Sequence, residues 1–333
     1  MRRLYILLLL LAAACPLGRA AIPEKLVPEF STSTTTSVNH DMHKSSTFSL
    51  SSMDADWRNP GKGWSGQISY DVVAKHFMGL NVAYRFTPWL QLKAGEMKMS
   101  YLYELNFSPR TLEMCGYSLG TSYLGGYTRD LCGLSTRARD VGVCASGSFL
   151  SLGERYLFTY NIGIFNGNGY EWEDDDSRKN FSAMLVVSPA KNLRISLGGL
   201  LGRYTISKEE ERYGDRNRLS AGVWYDDGKY FLKAENVYGK TASLKSNGTF
   251  LMTGIWFRKN MALALRGDYF LKDTSEKDSA ISKAEVCLSH VLTKNIRYRV
   301  QYSHTFNSSP GVKDVDTISL SVSFKFSSVS SRK

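Results

Sequence analysis

Segments of about ten residues in which apolar and polar side chains alternate recur along most of the chain. In the last of them, Ile318, Leu320 and Val322 share one face, whereas Ser319 and Ser321 share the other. Transmembrane β-strands have this pattern, because each crosses the bilayer with roughly 9–11 residues and turns one face to lipid and the other to the lumen. Strands of soluble sandwiches alternate too, but they average about 5–6 residues. The length of the segments therefore favours a membrane barrel.

The same alternation predicts the orientation of five further strands. The segments are 66–74, 77–86, 192–202, 217–226 and 294–305. In each, Leu, Ile, Val, Phe or Tyr side chains are expected to face lipid, and charged or small polar side chains are expected to face the lumen. A register error of one residue would exchange the two faces of a strand.

Composition supports an all-β protein. Tyr 19, Phe 16, Trp 6 and Gly 28 against Pro 8 is a balance typical of strands. Beyond the N-terminus no apolar run approaches the roughly 18 residues that a spanning helix needs. The aromatic content and the mixed charges also exclude a disordered chain.

The N-terminus has the features of an export signal. A basic start at Arg2 and Arg3 precedes the apolar stretch 4–14, and Gly18-Arg19-Ala20 fits a cleavage site after Ala20. Cleavage there would reduce the net charge from +11 to +8, because three arginines are removed. The alternative is a lipoprotein with Cys15 lipidated. The predicted organisation is a signal peptide 1–20, a Ser/Thr-rich segment 21–64 that could hold the first strands, a barrel 65–326 and a tail 327–333.

The connections between segments alternate between short and long, as antiparallel membrane barrels require. Short turns are predicted at 87–88, 151–154, 189–191, 226–228, 259–260 and 292–294, and long connections at 98–139, 165–179, 204–216, 239–246, 272–279 and 306–314. Twelve strands follow Trp89, and the segments 66–74 and 77–86 add two. A further pair in the stretch 30–53 would raise the total from 14 to 16, and we predict 16.

Three motifs flank the longest connection. They are Gly95-Glu96-Met97-Lys98, Arg139-Asp140-Val141-Gly142-Val143 and Tyr160-Asn161-Ile162-Gly163-Ile164-Phe165-Asn166-Gly167. They resemble the phosphate-selective porin O and P family, in which Gly-Gln-Phe-Lys precedes the constriction loop, Arg-Asp-Val-Gly-Val opens the next strand, and Phe-Asn-Gly ends the one after. Lys233-Ala234-Glu235 resembles a later strand of that family. The resemblance covers about residues 65–326, and Glu96-Met97 departs from the family's Gln-Phe.

This resemblance implies a 16-stranded trimeric outer-membrane channel whose third loop folds into the pore. It also implies an anion preference created by basic residues near the constriction.

The predicted lumen faces carry more basic than acidic side chains. The ten basic ones are Arg85, Lys93, Arg194, Arg218, Lys233, Arg266, Lys283, Arg297, Arg299 and Lys325, and the four acidic ones are Asp71, Glu235, Asp268 and Glu285. Such an excess would attract anions through its summed field, chiefly at a constriction, because the Debye length is about 8 Å at physiological salt.

The connection 98–139 is far longer than the others, and loops beyond about 12–15 residues are usually functional or disordered. Its apolar and aromatic content suits a loop packed inside the barrel. Its arginines are natural partners of phosphate and carboxylate, because a guanidinium group donates two parallel hydrogen bonds. The candidate anion path comprises Lys93, Lys98, Arg110, Arg129, Arg137, Arg139, Arg194, Arg218, Lys233, Arg266, Arg297 and Arg299.

The connection 98–139 also contains two cysteines. Cys115 and Cys132 could form a disulfide, which their spacing alone does not decide.

The sequence thus predicts a porin of a Gram-negative outer membrane for passive diffusion of small hydrophilic solutes, with a preference for anions such as phosphate. The alternative is a non-conducting, plugged barrel that serves as a surface structural or adhesion protein. The expected partners are outer-membrane lipid, small anions and two further copies of the chain. No enzyme activity, cofactor, metal site or nucleic-acid binding is expected, because the five histidines form no catalytic or ligand pattern and the basic residues are dispersed.

Overall fold

The computed structural model describes residues 31–41, 46–50, 53–58, 63–71, 76–127, 130–134, 137–167, 169, 178–207, 210 and 212–327. These residues form one antiparallel sheet with a few short helical turns. None of the helices in this part of the chain is long and apolar enough to cross a bilayer. The predicted signal peptide and the tail after Ser327 lie outside the described residues.

Eighteen strand segments follow one another within the described residues. They are β1 (Ser31–Asp41), β2 (Ser46–Leu50), β3 (Met53–Arg58), β4 (Trp64–Asp71), β5 (His76–Thr87), β6 (Leu90–Lys98), β7 (Arg139–Leu152), β8 (Arg155–Phe165), β9 (Asn180–Ala190), β10 (Leu193–Leu201), β11 (Arg203–Ser207), β12 (Arg212–Asp226), β13 (Tyr230–Thr241), β14 (Leu244–Arg258), β15 (Met261–Leu271), β16 (Ala280–Thr293), β17 (Ile296–Asn307) and β18 (Val315–Ser327).

These segments make 16 barrel strands. β2 pairs with β1, and β3 pairs with β4. β2 and β3 are therefore the two halves of one interrupted strand. β10 and β11 both pair with β12 and are likewise the two halves of one strand. Counting each interrupted strand once reduces the eighteen segments to sixteen strands. β1 and β18 pair along their whole length, from Ser31 opposite Ser327 to Asp41 opposite Thr317, and this pairing closes the sheet. The prediction of a 16-stranded antiparallel barrel is therefore confirmed, and the Ser/Thr-rich segment supplies its first strands.

The two faces of the strands are as predicted. On β18, Leu320 is 44 % exposed on the outer surface, while Ser321 faces the interior and is 1 % exposed. β15 shows the same alternation, with Leu263 and Leu265 exposed between buried Ala264 and Arg266. A closed sheet with an apolar outer surface and a polar interior is what a bilayer requires, because its hydrocarbon core offers no hydrogen-bond partners.

One end of the barrel has tight turns at the six predicted short connections. At the other end two predictions of long connections are wrong. β13 and β14 are joined by only two residues, Ala242 and Ser243, with Ala242 in a left-handed conformation at φ 53°. The predicted connection 204–216 is mostly strand, because β11 ends at Ser207 and β12 begins at Arg212. Polar residues suggest loops in both places, but strands that continue beyond the bilayer meet water on both faces and tolerate such residues.

The third loop, residues 99–138, folds into the barrel as predicted. It contains a 3₁₀ turn (Glu104–Asn106) and one short helix, α1 (Leu119–Leu124). Ser118 caps α1, since its hydroxyl accepts a hydrogen bond from the Thr121 N–H at 3.3 Å. The apolar side chains of the loop are buried against inward-facing side chains of the strands; Met99, Tyr101, Leu102, Leu105 and Leu124 pack with Leu200, Val237 and Phe270. The loop therefore has its own hydrophobic contact with the wall.

Candidate functional site

The strands β12–β17 form the wall against which the third loop rests, and we call them the loop-bearing wall. Its central contact is a cluster of ions. Arg266 on β15 lies 2.5 Å from Glu285, 3.3 Å from Asp268 and 3.6 Å from Glu104 of the loop, and all four side chains are buried. Arg266 also donates to the carbonyl oxygens of Gly116 and Tyr117. This arginine joins three strand or loop carboxylates and two loop carbonyls, so it holds the loop in place.

Glu235 on β13 holds the start of the 3₁₀ turn. Its two carboxylate oxygens accept hydrogen bonds from the backbone N–H groups of Tyr103 and Glu104, at 2.6 and 3.0 Å. Glu104 in turn accepts from both the N–H and the hydroxyl of Ser118. Buried carboxylates require such partners, because an uncompensated charge in a low-dielectric interior is very unfavourable.

Lys233 and Glu113 form a second buried ion pair, 2.7 Å apart, between β13 and the loop. A third pair links Arg216 on β12 to Asp130 of the loop at 3.1 Å, and both side chains are fully buried. The neighbouring Arg218 donates to the carbonyl of Leu124 at the end of α1. Basic residues of the loop-bearing wall thus face partners of the loop at every one of these positions.

Arg299 and Arg297 on β17 bind carbonyl oxygens of the loop. Arg299 Nη1 donates to Pro109, Leu112 and Met114, at 2.6, 3.2 and 2.7 Å, and Nη2 donates to the hydroxyls of two β18 serines. Arg297 Nη1 donates to the carbonyls of residues 110 and 112. Both guanidinium groups are therefore engaged by the loop backbone.

The remaining predicted residues of the loop have other surroundings. Lys98 donates to the carbonyl of Leu105 and to the hydroxyl of Tyr117, and Arg139 is almost completely buried at the start of β7. Arg110 and Arg137 are partly exposed. Arg129 lies outside the described residues.

A cavity of about 750 Å³ lies between the loop and the strands β5–β10, which we call the open wall. It reaches the tight turn after β5, since Thr87 and Pro88 are among its lining residues. Its lining consists of Arg85, Phe86, Thr87, Pro88, Gln91, Ser100, Tyr103, Asn106, Ser146, Gly147, Ser148, Tyr156, Thr159, Tyr160, Asn161, Met184, Val186, Ser188 and Arg194. Two arginines and no Asp or Glu occur among these lining residues. Hydroxyl and amide groups supply most of its other polar atoms.

Only Arg194 of the twelve predicted residues lines this cavity, within the part of the chain that the structure describes. Its second arginine, Arg85, belongs to the predicted inward basic residues but not to the predicted path; it donates to Gln91 Oε1 at 3.1 Å and is exposed. Lys93 lies two residues beyond Gln91 on β6, and its register partner Cys144 lies two residues before Ser146. Lys93 is partly exposed on the same wall, although it is not among the residues that line the cavity.

The motifs that flank the loop form a structural contact, which we call the β7–β8 clasp (Asp140, Val141, Asn166 and Gly167). The Asp140 carboxylate is fully buried and accepts hydrogen bonds from the N–H groups of Gly167 and Val141, both at 2.8 Å. The Asn166 N–H donates to the Val141 carbonyl at 3.0 Å. A Cβ on Gly142 would lie 2.1 Å from the Ile164 oxygen, so this position admits no side chain. These motifs fix the point where the loop returns to the wall.

Burial keeps polar groups of the loop protonated. It raises the pKa of Tyr101 to about 12, and the neutral hydroxyl donates to the carbonyl of Gly125 at 3.1 Å. It also raises the pKa of Cys132 to about 11. The loop is therefore held by ion pairs and by neutral donors such as the Tyr101 hydroxyl.

No protein-family model and no curated protein matches this chain. Solved structures do match. OmpF of Salmonella typhi, in a complex with daunomycin, aligns with a TM-score of 0.65 at 12% identity, over 89% of this chain and 97% of that one. An anion-selective porin from Comamonas acidovorans aligns with a TM-score of 0.64 at 11% identity, over 89% of this chain and 98% of that one.

The trimer form of OmpT, an outer membrane protein of Vibrio cholerae, aligns with a TM-score of 0.62 at 12% identity, over 89% of this chain and 98% of that one. Similarity over nearly the whole of each chain shows that this protein has the porin fold. The finer resemblance to the phosphate-selective porins stays a prediction.

Proposed function

We propose that the protein is an outer-membrane porin that lets small hydrophilic solutes diffuse passively and favours anions. The observation that carries this proposal is the cavity along the open wall, whose lining contains Arg85 and Arg194 but no carboxylate. An ion in that passage meets two positive charges and many neutral hydrogen-bond donors. These groups would replace part of the hydration shell of an anion and oppose the entry of cations.

The loop-bearing wall contributes little to this preference. Arg266 has three carboxylates within 3.6 Å, and Lys233 is paired with Glu113 at 2.7 Å. Opposite charges at such distances cancel at the distance of a solute, whereas an arginine without a carboxylate beside it keeps its field. We therefore assign Lys233 and Arg266 to holding the loop through ion pairs. Arg218, Arg297 and Arg299 donate to loop carbonyls, and we assign them to the same role because the loop backbone engages their guanidinium groups. The anion path is assigned to Arg85, Arg194 and Lys93.

Reversal potentials in a planar bilayer test this assignment. Across a gradient of KCl, the wild-type channel should pass chloride in preference to potassium. Arg194→Gln and Arg85→Gln should each lower the chloride-to-potassium permeability ratio by up to about fivefold, since a unit charge about 4 Å from an ion contributes about 1 kcal/mol in water. Added phosphate should reduce the wild-type current more than that of the Arg194→Gln variant.

Arg212→Gln is the matched control, because Arg212 is 64% exposed beside Glu210 at the tip of the β11–β12 hairpin, away from the cavity. It removes the same charge and should leave the ratio unchanged. Equal ratios in the wild type and both cavity variants would contradict the anion path proposed here and leave an unselective porin.

A plugged barrel is the second candidate, and the burial of the loop favours it. Side chains such as Met99, Tyr101 and Leu105 are as buried as those of a soluble core, and the ion pairs hold the loop firmly. A folded barrel that inserts into the bilayer and carries no current would support this candidate and exclude the porin.

We further propose that the protein is a homotrimer embedded in outer-membrane lipid. The trimer form of the Vibrio cholerae protein, which shares the fold, supports this assembly. Cross-linking of the protein in outer membranes should give a band of three chains on denaturing gels. A single-chain band under conditions that cross-link a trimeric porin control would contradict it.

A further inference from the structure

Two cysteines from distant parts of the chain meet where the third loop touches the loop-bearing wall. Cys115 belongs to the loop and is partly exposed, whereas Cys287 faces inward on β16 and is fully buried. Cys115 packs against the buried cluster that contains Cys287, together with Met114 and Met252.

Backbone contacts hold Cys115 over Cys287. The N–H of Cys115 donates to Gln301 Oε1 at 2.8 Å, and Gln301 is the register partner of Cys287 across β16 and β17. The carbonyl of the preceding residue, Met114, accepts from Arg299 at 2.7 Å, and Arg299 lies opposite Ser289, two residues from Cys287. The loop is thus fixed to β17 at the Cys115 N–H and at the Met114 carbonyl.

The two thiols also interact directly. Cys115 packs against the cluster that contains Cys287, and the Cys287 thiol lowers the pKa of Cys115. The other loop cysteine has different neighbours: Cys132 lies 3.7 Å from Arg218 on β12, and its N–H donates to Asp130. The structure therefore brings Cys115 next to Cys287 and places Cys132 at another part of the wall.

We propose that Cys115 and Cys287 form a disulfide that fastens the third loop to β16. This proposal rests on the proposed outer-membrane location in one respect. An exported chain passes through an oxidising compartment in which disulfides form. The oxidant is a protein disulfide donor of that compartment, acting by thiol–disulfide exchange.

The exchange proceeds in two steps. The Cys115 thiolate attacks one sulfur of the donor disulfide, a mixed disulfide forms, and the released donor thiolate takes up the proton that Cys115 lost. The Cys287 thiolate then attacks the Cys115 sulfur, so that the Cys115–Cys287 bond forms and the mixed disulfide breaks. The second donor thiolate takes up the proton from Cys287, and two electrons have passed to the donor, which leaves as a dithiol.

Peptide mapping of the exported protein tests the disulfide. Outer membranes are dissolved in denaturant with N-ethylmaleimide and no reductant, and the digested protein is examined by mass spectrometry. We expect a linked pair of peptides containing Cys115 and Cys287, together with alkylated Cys132 and Cys144. The link should be absent in Cys287→Ser, where Cys115 becomes alkylated, and present in the control Cys132→Ser.

Alkylation of all four cysteines in the wild type would overturn the proposal, and so would a link between Cys115 and Cys132. This readout does not depend on ion conduction, so a barrel without current leaves the test intact. Where the channel conducts, dithiothreitol should increase brief closures of the wild type. It should leave the double variant Cys115→Ser, Cys287→Ser unchanged, and an equal response of both would also overturn the proposal.

Discussion

The loop-bearing wall and the open wall carry the same kinds of inward side chains but use them differently. Arg266 on the loop-bearing wall is surrounded by Glu104, Asp268 and Glu285, and all of them are buried. Arg194 on the open wall is exposed in a cavity whose described lining contains no carboxylate. An inward basic residue therefore either holds the loop or faces the cavity, according to what the third loop places opposite it.

The largest expected effect of breaking this contrast comes from Arg266→Met. The change removes the ion pairs of buried Glu104 and Asp268 with Arg266, whereas Glu285 keeps Lys283 at 2.5 Å. Removal of one partner from a buried ion cluster usually costs about 3–5 kcal/mol. The free energy of unfolding in urea, measured in lipid vesicles, should fall by that amount. A loss below about 1 kcal/mol would show that Arg266 does not anchor the loop.

The next largest effect on the free energy of unfolding should come from the ionisation of Tyr101 at alkaline pH. Burial raises its pKa from 10.0 to about 12, so the folded protein holds the phenol proton more tightly than the unfolded chain does. The resulting stabilisation is complete below pH 10 and is lost as the pH rises through about 12; two pKa units correspond to about 2–3 kcal/mol.

Tyr101→Phe isolates this contribution. Between about pH 10 and 12 the wild type should lose more stability than the variant does, as followed by urea unfolding. Parallel losses in both proteins would place the alkaline transition on other groups and would show that Tyr101 is not sealed under the loop.

Gly248→Ala probes the close approach of the loop to β14. A Cβ at this position would lie 2.6 Å from the Cα of Gly120 in α1, so the helix must move away from the wall. Overpacking of this kind costs about 1–3 kcal/mol. The matched control is Gly267→Ala, because its Cβ has nothing within 4 Å. Equal unfolding free energies for the two variants would contradict the contact between α1 and the wall.

The smallest effect is expected for Lys240→Met. Lys240 pairs with Asp215 at 2.7 Å on the projecting strands, but the two side chains are 42% and 37% exposed. Water and salt screen such a pair, so its loss should cost less than about 1 kcal/mol in the same urea experiment. A cost as large as that of Arg266→Met would remove the distinction between buried anchors and exposed pairs.

Strands and their faces were predictable because alternation is a local property. The side chains of 294–305 or 192–202 point to opposite sides of the sheet whatever their neighbours are, so the faces of β17 and β10 follow directly from the sequence. The two projecting hairpins were not predictable in this way. Lys240 and Lys245 are compatible with a loop or with a strand in water, and only the pairing of Thr241 with Leu244 distinguishes them.

The distribution of roles among the basic residues could not be predicted either. The alternation of apolar and polar residues places Arg194 and Arg266 on the inner face. It does not indicate where Glu104 or Glu113 of the loop will lie. Those contacts join residues more than a hundred positions apart and depend on the path of the loop. For the same reason the sequence suggests Cys115 and Cys132 as a pair, whereas the fold packs Cys115 against the cluster that contains Cys287.

The anchoring of the third loop sets an order of assembly. The loop leaves the sheet after β6, but the groups that hold it, such as Glu235, Arg266 and Arg299, belong to strands made much later in the chain. Contacts between such distant residues form slowly, because the intervening chain must be ordered first. The loop can reach its final position only after β12–β17 have paired, so an insertion intermediate that lacks these strands has a wide and unobstructed interior.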